Sequence, residues 1–228
     1  MLKQTVLITG SNKGLGKFLA LKFSDEGFNV IINGRDKESL DLVKKQIEKR
    51  TDCYSILGDL TSSKTIEDLS ALAKSKNIDV LVNNAGIYLN KSIENMTIQE
   101  YQNIMDVNFF APVKLIKSIL PIFKEKGSGL IVNINSIAGK QSSRNESAYC
   151  ATKHALRGFT NSIKPEVIKY ARIIDVYSGA MATSMTKGIR QDYDLLIDPA
   201  EAAEIIVKNC VPYKTLCPKE IDLGRINY

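Results

Sequence analysis

The chain has 228 residues and a mass of 25.3 kDa, a size at which an α/β fold is expected as one domain over residues 1–228. Hydrophobic content of 44% and charged content of 25% are those of an ordinary globular protein, which excludes a low-complexity or disordered chain. The net charge of +6 comes from lysines scattered over the surfaces of expected helices, with no arginine-rich run, so solvated faces explain it better than a nucleic-acid partner.

Apolar, β-rich runs alternate with longer amphipathic segments. Thr5–Thr9, Asn29–Asn33, Cys53–Leu57, Asp79–Asn83, Leu130–Asn135 and Arg172–Tyr177 each read as a buried strand. Their continuous Val/Ile/Leu character is that of a parallel sheet covered on both faces. Helices are expected over Leu15–Glu26, Lys37–Lys49, Ser63–Lys74, Thr97–Lys126 and Ser147–Lys169. Asp198 at N-cap and Pro199 at N1 open one more helix, and Thr215–Leu223 reads as a last strand. The alternation predicts a Rossmann-like, doubly wound parallel sheet of about seven strands with helices on both faces. Pro165 falls inside the Ser147–Lys169 helix pattern, so a kink or an end after Ile163 or Lys164 is expected.

The first strand runs into Gly10-Ser11-Asn12-Lys13-Gly14-Leu15-Gly16. Glycines in a first β-to-α turn let backbone N–H groups and a helix N-terminus approach a pyrophosphate. The spacing is Gly-x-x-x-Gly-x-Gly, not the commoner Gly-x-Gly-x-x-Gly, but the strand-to-helix context is the required one. After the second strand comes Gly34-Arg35-Asp36. Arg35, with Lys13 as a second cation, suits the 2′-phosphate of NADP(H). Asp36 would instead hold the ribose hydroxyl of NAD(H) if the strand ended one residue later.

Farther on, Ser136 follows the fifth strand, and Tyr149 and Lys153 stand four apart on a helix, hence on one face. Making a phenol a useful base near neutral pH takes a shift of about three units, or roughly 4 kcal/mol. A lysine cation about 5 Å away supplies roughly 3 kcal/mol at an effective dielectric of ~20.

These residues together resemble the classical short-chain dehydrogenase/reductase family along nearly the whole chain. Gly10-x-x-x-Gly14-x-Gly16 is similar to its cofactor loop, and Asp59-Leu60 to the site beside its adenine. Asn83-Asn84-Ala85-Gly86 is similar to its motif after the fourth strand, and Asn108 to its helix asparagine. Ser136, Tyr149 and Lys153 match its catalytic serine and Tyr-x-x-x-Lys. The resemblance implies Asn108, Ser136, Tyr149 and Lys153 as catalytic residues. Tyr149 would exchange a proton with the substrate oxygen and Ser136 would hydrogen-bond that oxygen. Lys153 would lower the tyrosine pKa and hold the nicotinamide ribose, and Asn108 would hold a relay water. Gly10, Ser11, Asn12, Lys13, Gly14, Leu15, Gly16, Arg35, Asp59, Leu60, Asn84, Ala85, Gly86, Gly179, Met181 and Thr183, with Tyr149 and Lys153, are the implied cofactor contacts. The expected activity is NADP(H)-dependent carbonyl reduction or alcohol oxidation on a small molecule, in a homodimer or homotetramer. The alternative is a weakly catalytic dinucleotide-binding sensor of the same fold.

Two departures stand out. The family's Pro-Gly after the sixth strand is Ser178-Gly179 here, which should loosen that turn. The expected substrate lid, about 184–197, is short, which suggests an open pocket. Its cations Lys187 and Arg190 could meet an acidic substrate, although a solvated loop surface fits them equally well. Cys53, Cys150, Cys210 and Cys217 show no metal or disulfide spacing, and with the single His154 no metal site is expected. No apolar stretch approaches the ~20 residues of a membrane span. The first strand begins too early to leave room for a signal peptide, so a cytoplasmic protein is expected.

Overall fold

The computed structural model describes residues 3–188, 191–210 and 217–226. Seven strands form one sheet: β1 (Thr5–Ile8), β2 (Asn29–Gly34), β3 (Cys53–Leu57), β4 (Val80–Asn83), β5 (Leu130–Ser136), β6 (Arg172–Ser178) and β7 (Glu220–Leu223). Their order is β3-β2-β1-β4-β5-β6-β7, and every pairing is parallel. This is the doubly wound arrangement expected from the alternation of strands and helices. The strand expected over Thr215–Leu223 begins later, at Glu220, past Pro218, which has no N–H to give a ladder; Thr215 and Leu216 lie outside the described residues.

Strand side chains alternate between two cores. Val6, Ile8, Val30, Ile32, Val80 and Val82 face α1 (Gly14–Asp25), α2 (Lys37–Ile47) and α7 (Pro199–Cys210). Leu7, Ile31, Leu81, Ile131 and Ile173 face the other layer. That layer holds α3 (Ser63–Ser75), α5 (Ala111–Lys126) and the end of α6 (Ser147–Val167). Among the described residues no helix is long and apolar enough to cross a membrane.

The helix expected as one piece over Thr97–Lys126 is interrupted. Thr97 caps α4 (Ile98–Met105) in a capping box with Glu100, and a π turn over Asp106–Phe110 joins it to α5. Pro112 has no N–H to offer the Asn108 carbonyl four residues back, and a widened turn accommodates that gap. The early end expected at Pro165 does not occur, since α6 continues to Val167. Pro165 sits in the last turn, where it removes a single helical bond. Burial of Val167, 3% exposed, holds the turn on the sheet.

A polar row crosses the middle of the sheet. Asn83 donates to Asn133 at 2.9 Å, and Asn133 donates to Asp175 at 3.1 Å. Asp175 is fully buried and also accepts from Lys164 at 2.7 Å and from Thr160 at 3.1 Å. The three strand residues are in register, so the row ties β4, β5 and β6 to α6. Asp175→Asn keeps the shape but turns one accepting oxygen into a donor facing donors. Urea unfolding should show a loss of roughly 1–3 kcal/mol with an unchanged denaturant slope.

Candidate functional site

A cavity of about 680 Å³ opens at the carboxyl ends of the strands. It lies at the point between β1 and β4 where the winding reverses, which is where open α/β sheets hold ligands. Its wall contains Gly10, Asn12, Lys13, Gly14, Leu15, Gly16, Arg35, Asp59, Leu60, Asn84, Ala85 and Gly86 at one end. Ser136, Tyr149, Lys153, Gly179, Met181 and Thr183 stand at the other. Residues far apart in sequence therefore share one cavity. Two expected members do not line it. Ser11 is buried, its hydroxyl donating to the Ile8 carbonyl at 2.9 Å and accepting from the Asn33 N–H at 2.9 Å. Asn108 is buried behind the wall.

The glycine turn is built for close backbone approach. Gly10 has φ +61°, and a Cβ on Gly16 would lie 2.3 Å from the Gly10 carbonyl oxygen and 2.4 Å from Asn84 Nδ2. Asn84 closes the turn by donating to the Thr9 and Gly10 carbonyls at 2.9 and 3.1 Å. The first turn of α1 carries no acid, so the positive end of its dipole is left for an anion. A diphosphate fits that cradle.

The neighbouring strand end gives Arg35 and Asp36 different surroundings. β2 stops at Gly34, and Asp36 caps α2, accepting from the Ser39 N–H at 2.9 Å and from its hydroxyl. Those two bonds hold the Asp36 carboxyl below the usual carboxylate range. Arg35 is exposed and reaches Asp59 at 3.1 Å. Burial opposes ionisation of Asp59, but bonds from Thr61 and Arg35 outweigh it and lower its pKa.

At the other end, Lys153 is 5% exposed and donates to the Ile134 carbonyl at 2.9 Å. Burial lowers its pKa to about 8. Tyr149 keeps part of its surface open to the cavity, yet the protein packed around it pushes the phenol up to about 12. The Ser136 hydroxyl pulls the other way, while Glu146 and Tyr88 add to the rise. Burial, and not the lysine field expected from the spacing, sets the direction of the phenol's shift. Nζ stands 5.7 Å from the ring centroid, and burying the pair costs both charged forms. Ser136 accepts from the Ala138 N–H at 3.2 Å and donates to the Ser178 carbonyl at 3.3 Å. Ser178, in place of proline, ends β6 and bonds the Gly179 carbonyl at 2.7 Å, so the turn is tied locally.

Asn108 exchanges bonds with the Ile87 backbone, accepting at 2.8 Å and donating at 2.9 Å, and donates to Thr152 at 3.2 Å. Its side chain fixes the π turn against the loop after β4. Sequence reasoning missed Tyr88, Glu146, Asn135 and the Ile134 carbonyl. Of these only Asn135 had a signal, its place before Ser136; it braces the Lys153 carbonyl at 3.3 Å. The lid base is closed by a bridge between Met181 and Ile197, and Arg190 lies outside the described residues.

A parallel sheet with this strand order and a glycine-lined first turn places the protein among the dinucleotide-binding α/β proteins. The narrower assignment comes from sequence. The profile of the short chain dehydrogenase family matches residues 4–194, and the chain belongs to that family of oxidoreductases. It is 32% identical to a fatty acyl-CoA reductase of Acinetobacter baylyi, over 98% of this chain and 77% of the relative. It is 29% identical to an NADPH-dependent pterin aldehyde reductase of Arabidopsis thaliana, over 80% and 76%. A metagenomic short-chain oxidoreductase solved in complex with NADP superposes with a TM-score of 0.84 at 26% identity, covering 97% of each chain.

Proposed function

We propose that the protein is an NADP(H)-dependent oxidoreductase that reduces a carbonyl to an alcohol, or runs the reverse, with Tyr149 as proton donor or acceptor. The observation that carries this reading is the single cavity, with a phosphate cradle at one end and Ser136, Tyr149 and Lys153 at the other. Two relatives named as reductases and a neighbour complexed with NADP support it.

The bound nicotinamide supplies or accepts the hydride; the protein's own groups do the rest. Ser136 offers a hydroxyl to the substrate oxygen where negative charge develops. Tyr149, protonated well above neutral pH, is in the right form to donate in the reductive direction. Lys153 anchors the floor through Ile134 and presents its remaining N–H groups to the cofactor ribose and the phenol. The Asn108 carbonyl, without an N–H from Pro112, is the group suited to hold a relay water. Exposed Phe110, at 44%, in the turn between α4 and α5 supports the homodimer or homotetramer reading, and free thiols at all four cysteines suit a reducing cytoplasm.

Arg35 and Lys13 carry the preference for NADP(H). Arg35→Ala should raise the KM for NADPH roughly tenfold or more while changing that for NADH by about threefold at most. Steady-state rates followed at the nicotinamide absorbance check it, and equal use of the two cofactors by the parent protein would remove the argument. The raised phenol of Tyr149 also favours a second reading, a dinucleotide-binding sensor with little turnover. A panel of aldehydes, ketones and alcohols separates the two.

A further inference from the structure

We propose that Glu146 sets the substrate class of this cavity: it selects against carbonyl compounds bearing a carboxylate or phosphate and for those bearing a positive charge or a hydrogen-bond donor, with Tyr88 holding its carboxylate in place. The inference rests on the carbonyl-reductase reading above. Glu146 occupies the N-cap position of α6, where a carboxylate ordinarily folds back onto its own helix, yet its side chain makes no cap bond. It accepts instead from the Tyr88 hydroxyl at 2.6 Å. Tyr88 in turn accepts from Asn90 at 3.1 Å, and its ring stands edge-on to Tyr149, with centroids 5.1 Å apart at 83°. The carboxylate, the Tyr88 phenol and the proposed proton donor are thus consecutive members of one wall.

Among the described residues lining that end of the cavity, no cation pairs with the carboxylate. The other lining groups there, including Ile87, Ile137, Ser143 and Met185, are apolar or uncharged. Lys13 and Arg35 line the adenosine end, and Lys153 is turned to the Ile134 carbonyl. Lys91 is occupied by Glu100 at 2.6 Å, and lid Lys187 is exposed and outside the wall. Among the described residues no cation forms an ion pair with Glu146, and only one of its oxygens accepts a hydrogen bond. Its charge also raises the Tyr149 phenol, which places it within electrostatic reach of the reacting oxygen. A substrate whose carbonyl meets Tyr149 and Ser136 must pass its remaining groups along this wall. An amino, hydroxyl or amidinium group there gains a charge-assisted hydrogen bond, and an anion is repelled.

The test uses three aldehydes of matched shape, 4-carboxybenzaldehyde, 4-(hydroxymethyl)benzaldehyde and 4-amidinobenzaldehyde, with NADPH, on the parent protein and Glu146→Gln. The parent should favour the amidine over the carboxylate in kcat/KM by about thirtyfold or more, and Glu146→Gln should bring that ratio to within about threefold of unity. Binding of the same aldehydes to the NADPH complex, read by quenching of nicotinamide fluorescence, gives the charge order without turnover. Binding in the expected order with no turnover keeps the inference and removes the reductase reading. Turnover with a charge preference that Glu146→Gln leaves in place overturns the inference and keeps that reading. Absence of both binding and turnover overturns it too.

Discussion

Tyr149→Phe should lower kcat for carbonyl reduction about a thousandfold or more while leaving the dissociation constant for NADPH within about threefold. The substitution removes one oxygen from a ring whose packing is unchanged. The edge-on contact with Tyr88 survives, and so does the placement of Lys153, which donates its hydrogen bond to the Ile134 carbonyl and not to the phenol. What is lost is the proposed proton donor. A phenol held up to about 12 carries its proton throughout the physiological range. The parent's rate of reduction should therefore stay level from pH 6 to pH 8, and its rate of alcohol oxidation should climb with pH as the phenolate form becomes accessible. Single-turnover reduction and fluorescence titration with NADPH separate chemistry from binding. A variant that kept more than about a tenth of the parent rate would assign the proton to another group.

Lys153→Met should abolish turnover to a similar degree and, in the cofactor-free protein, raise stability. Lys153 is buried, and its pKa falls from 10.5 to about 8 because burial disfavours the cation. A gap of that size corresponds to roughly 3 kcal/mol of strain on the folded state. The folded protein releases this proton before the unfolded chain does. The destabilisation is therefore complete below about pH 8 and fades as pH rises toward 10.5. Methionine fills a similar volume without the charge, but it leaves the Ile134 carbonyl without its donor, a cost of about 1–2 kcal/mol. The net expectation at pH 7 is a gain of about 1–2 kcal/mol that shrinks and changes sign near pH 10. Urea unfolding of the cofactor-free variant and parent at the two pH values reads it directly. A loss of stability at pH 7 would mean that the buried ammonium is already well compensated.

The strands and the cavity residues were legible in the sequence because each rests on a local rule. Continuous runs such as Val6–Ile8 and Val80–Val82 mark strands buried on both faces, and the Gly10-to-Gly16 spacing marks the turn that follows. That Ser136, Tyr149 and Lys153 approach that turn across the sheet was implied by the family resemblance of the motifs taken together. What escaped was what depends on three-dimensional pairing. No sequence rule ties Tyr88 to Glu146, and a backbone acceptor such as the Ile134 carbonyl leaves no trace in residue type. The π turn at Asn108 had a signal, Pro112 four residues on, but a proline near a helix start is ordinarily harmless. The Tyr149 phenol was misjudged for a related reason. Spacing places a lysine near the phenol, whereas the burial that raises the phenol is a property of the folded surroundings.

The bridge between Met181 and Ile197 has a consequence for how such a protein diversifies. The two residues pair in parallel, with Ala182 donating to the Ile197 carbonyl at 2.9 Å and Ile197 to the Ala180 carbonyl at 3.1 Å. The intervening loop therefore hangs from a fixed clasp between β6 and α7. Inserting residues inside the clasp lengthens a closed loop that is tied further by Arg225 to Asp192 at 2.6 Å, and doubling its length costs about 0.6 kcal/mol of closure entropy. The sheet, the glycine turn and the proton donor lie outside the clasp. New substrates are thus open to this scaffold by lengthening one ring of chain, at an energetic cost smaller than that of most single substitutions in its core.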